Sequence, residues 1–107
     1  MGVHNERVGD EAPATLPDVV PFSLSHLTRQ SWELGKRTVQ DEQAVILSKW
    51  THQNGQWRLS MFEVTTETAI LCLETPIGRE RFYVAIQSEL ETALQKLDAD
   101  PSWERDA

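Results

Sequence analysis

What most constrains this chain is the stretch from residue 44 to residue 86, which reads as four strands in a row. Residues 44–52 and 56–64 are rich in β-branched, aliphatic and aromatic side chains that alternate with polar ones. Between them lies Gln53-Asn54-Gly55. Asn-Gly is the strongest short hairpin signal, because both central residues of a type I′ turn need positive φ. Residues 65–68 read as a second turn and 68–74 as the third strand. Thr75-Pro76-Ile77-Gly78 is a third turn, with proline where its fixed φ helps. Residues 79–86 form the fourth strand.

Tight turns set the expected register. Trp50 falls opposite Leu59, Leu47 opposite Phe62, Phe62 opposite Leu71, and Leu71 opposite Phe82. One face then collects Val45, Leu47, Phe62, Val64, Ala69, Leu71, Leu73, Phe82, Val84 and Ile86. A one-residue slip in any hairpin would scatter that set. Residues 88–97 read as a helix. Ser88 and Glu91 have capping-box spacing, and Leu90, Ala93, Leu94 and Leu97 form one stripe. That stripe is the natural cover for the apolar face. The expected fold is α+β: a four-stranded antiparallel meander with a C-terminal helix packed on one face.

Upstream, Phe22, Leu24, Leu27, Trp32 and Leu34 make a ragged apolar pattern before Gly35. It predicts a short helix over 23–34 with Gly35 as its C-cap, or an edge strand. Residues 36–43 read as loop. Residues 1–20 are polar and broken by Pro13 and Pro17, and residues 98–107 are acidic. Both ends are expected as flexible tails around a single domain over 21–97.

The second sheet face carries the functional clue. It presents Trp50, Trp57, Leu59, Met61, Arg79, Arg81 and Tyr83, with Cys72 and Ile70 among them. A solvated sheet surface normally shows Thr, Lys, Glu and Ser. Aromatics, Met and Arg are instead enriched at the cores of interfaces. The expected role is a small non-catalytic binding or adaptor protein that uses this face for a protein partner or for a homodimer. Three plainer readings stand beside it. Residues 22–34 fold back over the face, the tryptophans merely stiffen the hairpin, and Arg79 pairs with Glu74 in solvent. The alternative function is single-stranded nucleic-acid binding, with bases stacked on Trp and Tyr.

Charge narrows the choice. The net charge is −7, and it sits in the ends. Residues 1–20 and 98–107 each carry −3, whereas residues 44–97 hold five bases against six acids. The missing basic stripe argues against a duplex-DNA binder.

No chemistry is spelled out. Cys72 is the sole cysteine, which excludes an internal disulfide and suggests a reducing compartment. In the expected register it lies roughly 16 Å from His52, from two strand spacings of ~4.8 Å and four rises of ~3.3 Å. That is too far for a thiol–imidazole pair. His4, His26 and His52 lack metal-ligand spacing, and the five glycines form no phosphate-cradling run. No cofactor, metal or catalytic residue is implied. No apolar run is long enough to span a bilayer and no signal pattern is visible, so the expectation is a cytoplasmic protein that does not engage membranes.

Overall fold

A computed structural model of the protein describes residues 14–41, 44–53 and 55–106. It is an α+β fold with one antiparallel sheet of six strands. The elements, in chain order, are β1 (Thr28–Gln30), α1 (Trp32–Gln40), β2 (Val45–His52), β3 (Arg58–Glu63), β4 (Thr68–Glu74), β5 (Glu80–Ile86), a 3₁₀ turn (Gln87–Glu89), α2 (Leu90–Ala99) and β6 (Trp103–Arg105). The strand order is β1-β5-β4-β3-β2-β6. The expected four-strand meander is therefore its centre, and two three-residue strands extend its edges.

Those added strands overturn two expectations. In the stretch expected as a C-terminal tail, residue 107 lies outside the described residues and 98–106 are not loose: α2 runs to Ala99, and β6 pairs with β2 through Trp50↔Arg105, Thr51↔Glu104 and His52↔Trp103. Trp103 is buried, and its indole Nε1 donates to the Val19 carbonyl at 2.9 Å. Within the stretch expected as an N-terminal tail, residues 1–13 lie outside the described residues. Residues 14–20 are tied down. The Ala14 amide donates to the Leu27 carbonyl, and Val20, Phe22 and Leu27 are buried in the core.

The register differs by one residue in two hairpins. β2 and β3 pair as expected near their turn, with Trp50↔Leu59 and Ser48↔Met61. Asn54 lies outside the described residues, and Gly55 has φ +75. A bulge between Ile46 and Ser48 then shifts the pairing to Ile46↔Phe62. In the next hairpin Met61, not Phe62, lies opposite Leu71. In the last, Leu71 lies opposite Tyr83, not Phe82.

The last slip has a clear cause. Pro76 favours an ordinary type I turn, whose twist suits a hairpin only when a left-handed residue follows. Gly78 supplies it with φ +86. The Gly78 amide bonds to the Thr75 carbonyl, and the Thr75 amide bonds to the Arg79 carbonyl. The loop thus holds one residue more than a two-residue turn, so the partner strand presents its other face. In the β3–β4 loop, Thr65 Oγ1 accepts from the Glu67 and Thr68 amides, and the Val64 and Thr65 amides both donate to the Thr68 carbonyl.

The consequence is a core built on the face that sequence left open. Trp50, Leu59, Met61, Ala69, Leu71, Leu73, Tyr83 and Ala85 pack with Leu90, Ala93 and Leu97 of α2 and with Val20, Phe22 and Leu27. The helix stripe is as the sequence indicates. Its start is not, because the chain enters α2 through the 3₁₀ turn and no side chain caps it.

The opposite face is covered by α1, which starts at Trp32, nine residues beyond the expected helix start. Ser31, not a residue near 23, caps it, accepting from the Leu34 amide. Gly35 sits inside the helix, although glycine costs about 1 kcal/mol there. It is not a C-cap. A Cβ at Gly35 would lie 2.5 Å from Cβ of Phe82 and 2.7 Å from its Cδ1. Only glycine lets α1 settle on this ring. No helix among the described residues is long and apolar enough to cross a membrane.

Candidate interaction site

Of the seven residues expected to line a docking face, four are interior. Trp50 and Tyr83 are 2% exposed, and Leu59 and Met61 are fully enclosed. Trp57 is half-buried and packs against the same cluster. Arg81 is half-buried opposite Leu73, and Arg79 is exposed in the β4–β5 loop. The structure thus gathers Trp50, Leu59, Met61 and Tyr83 into one cluster and leaves Arg79 out of it. That cluster lies beneath α2 and the 14–27 segment, so the open aromatic face does not exist. Nor can a base stack on Trp50 or Tyr83. The Trp50 indole Nε1 instead donates to Ser48 Oγ at 3.0 Å. The guanidinium of Arg105 stands over its ring at 5.5 Å. Glu74 lies opposite Glu80 and Arg58, not Arg79.

The α1 side of the sheet holds a small cleft of ≈ 280 Å³ between the helix and strands β2–β5. Lys36 Nζ bonds both Glu80 oxygens, at 3.1 and 3.3 Å, and Trp32 Nε1 donates to Glu80 Oε1 at 3.2 Å. Cys72 lies on its floor, opposite Ser60 and Phe82. Burial pushes the Cys72 thiol up to about 12, and the nearby Glu80 and Glu74 carboxylates add to the rise while Lys36 opposes it. The sulfur therefore stays protonated at neutral pH and is a poor nucleophile. His52 belongs to the other face, edge-on to the Trp103 ring at 5.2 Å. Among the described residues no group of three or more His, Cys, Asp or Glu is placed to hold a metal.

Exposed apolar surface is found elsewhere. Val45 and Ile46, neighbours at the start of β2, are 56% and 52% exposed. They begin a strand of eight residues, of which β6 covers only Trp50–His52. The last bond along that edge is from the Asp106 amide to the Lys49 carbonyl, at 2.8 Å. Over 45–48 the outer edge of β2 has no ladder partner among the described residues. The bulge at Leu47 explains the side-chain arrangement. It lets Leu47 and Ser48 both turn toward the α2 side, where Leu47 packs on the core and Ser48 is buried, while Ile46 turns toward α1. In an unbroken strand Ile46 would share a face with Ser48 and Trp50.

Sequence reasoning missed Val45, which it placed on the apolar core face; Ile46 it placed on the second face with Ser48 and Trp50, from which the bulge turns it to the α1 side. No local signal marks Val45 as exposed, because a β-branched residue at a strand start reads as core.

The class these features define is a small six-stranded antiparallel α+β protein with helices on both faces and a partly unpaired edge. Comparison with known protein families, with curated proteins and with solved structures finds no match to this chain.

Proposed function

We propose that this protein is a non-catalytic binding module that contacts a protein partner through the surface where β2 runs past the end of β6. The observation that carries this reading is the exposure of Val45 and Ile46 on a strand whose outer edge has no ladder partner over 45–48 among the described residues. Two adjacent large apolar side chains in water gain from being covered. Unpaired backbone N–H and C=O groups beside them are a template for another chain. The two features coincide at one place on the surface. The net charge of −7 favours a different protein over a second copy, because like-charged molecules repel.

A photo-crosslinking residue tests the reading. We would place p-benzoylphenylalanine at position 46, and separately at exposed Glu91 on the outer side of α2, and irradiate the cells that naturally make the protein. A discrete protein adduct at position 46 and none at 91 is the expected result. If position 46 yields no adduct while both variants are folded by circular dichroism, the reading is wrong.

A further inference from the structure

We infer that the element seated on this surface is an extended segment of the partner, apolar and acidic in composition, that adds a strand to β2 in line with β6. This rests on the binding role proposed above and specifies its mode.

Backbone geometry makes the first argument. The open edge spans four residues, or roughly 13 Å at ~3.3 Å per residue. A groove of ≈ 660 Å³ runs beside it, lined by Ile46, Leu47, Ser48, Lys49, Arg105 and Asp106. A folded surface meets an edge at a few points, whereas an extended chain satisfies its N–H and C=O groups in succession. The incoming strand continues the line that β6 already occupies, so it displaces no strand among the described residues.

Charge makes the second argument. Lys49 flanks the groove from the α1 side and Arg105 from the α2 side. Arg58 stands in the adjoining cleft, which Ile46, Lys49 and Asp106 share with the groove. In the groove itself one acid stands against Lys49 and Arg105: Asp106, which accepts from Thr51 Oγ1 at 3.2 Å on both of its oxygens. In the adjoining cleft Glu74 and Glu80 face Arg58 and Lys36, and Lys36 bonds Glu80. The local balance is positive on a chain whose net charge is −7. An acidic segment is drawn to this edge and repelled by most of the remaining surface. A second copy would instead bring two bulged, twisted edges together. Bulges at edges oppose that pairing, whereas a flexible peptide follows the twist.

The test uses the full chain and three fluorescein-labelled octapeptides. One alternates valine and glutamate. The second replaces glutamate with lysine. The third is the valine–glutamate peptide N-methylated at every residue, which keeps its side chains and removes its backbone donors. By anisotropy at low salt, the first should bind at least about tenfold more tightly than either other peptide, and Lys49→Glu should weaken it about tenfold. Hydrogen exchange across residues 45–48 should slow when it binds. Failure of the first peptide to bind overturns strand addition. So does equal binding of the methylated peptide, which would mean side-chain contact alone. Protection of 45–48 that rises with protein concentration, without peptide, would assign the edge to a second copy and overturns it too. If the peptide fails but position 46 still crosslinks, the binding role stands and only its mode falls. If both fail, both fall.

Discussion

Gly35→Ala should destabilise this protein, although helix propensity argues the reverse. Replacing an interior helical glycine with alanine ordinarily stabilises by about 0.5–1 kcal/mol. Here the new methyl would sit 2.5 Å from Phe82 Cβ and 2.7 Å from Cδ1. Phe82 is 1% exposed, so its ring has no solvent to retreat into. The ring must leave its rotamer, or α1 must lift from β5. Overpacking of that kind costs typically 1–3 kcal/mol. The clash outweighs the propensity gain, for a net loss of about 0.5–2 kcal/mol. That corresponds to a fall in Tm of several degrees for a domain of this size. Urea unfolding followed by tryptophan fluorescence measures it, with the m-value checking that the transition is unchanged. The same substitution in a Phe82→Ala background separates the two terms, because alanine removes Cγ and the ring and leaves only the Cβ contact. With the ring removed, the loss caused by alanine at 35 should shrink, a coupling of about 1 kcal/mol or more. A stabilised Gly35→Ala single variant would refute the reasoning. So would an equal loss in both backgrounds.

Four other outcomes follow from the same structure. Cys72 in the folded protein should react with iodoacetamide at pH 8 about 10³-fold more slowly than in the denatured chain, since its thiolate fraction scales with a pKa raised from 9.0 to about 12. Because the folded state holds this proton more tightly, the contribution is intact below about pH 9. It is lost as pH rises toward 12, so Cys72→Ala should flatten the alkaline fall in stability measured by pH-dependent urea melts. Trp103→Ala should cost about 3–5 kcal/mol and speed hydrogen exchange of the Glu104 and Thr51 amides, because the indole anchors β6 to the core and to the Val19 carbonyl; a loss under about 0.5 kcal/mol would show that β6 is not held by this ring. A double-mutant cycle on Lys36→Met and Glu80→Gln should give a coupling below about 1 kcal/mol that shrinks in 1 M salt, since both side chains remain partly in solvent. A salt-independent coupling of several kcal/mol would contradict that.

Much of the fold was legible because its signals are local. The four central strands, their three turns and the apolar stripe of α2 all follow from patterns within ten residues. So does the pairing of Trp50 with Leu59, which a short Gly-containing loop imposes. The candidate site was not legible, for one reason. A face assignment carries across a hairpin only if the loop length is right. The Thr75–Arg79 loop holds an extra left-handed Gly78, and the β3–β4 loop closes with Met61 opposite Leu71. Each difference is a single residue, yet together they bring Ala69, Leu71 and Leu73 onto the face of Trp50, Met61 and Tyr83. That face, covered by α2 and the 14–27 segment, is therefore core rather than a docking surface, while Phe62, Phe82 and Val84 lie on the α1 side, where Phe82 is buried.

The chain's own letters determine the four central strands and α2, because propensity and periodicity act over a few residues. They also determine that acidic side chains dominate overall. The tertiary structure alone decided which side of the sheet is interior, since both sides are apolar enough to qualify. α2 and the 14–27 segment claimed one side. Gly35 let α1 claim the other by fitting against Phe82. Only the assembled sheet shows that β6 covers β2 at Trp50–His52 and that residues 45–48 have no ladder partner on that side among the described residues, because which strands pair, and over what length, depends on contacts some fifty residues apart.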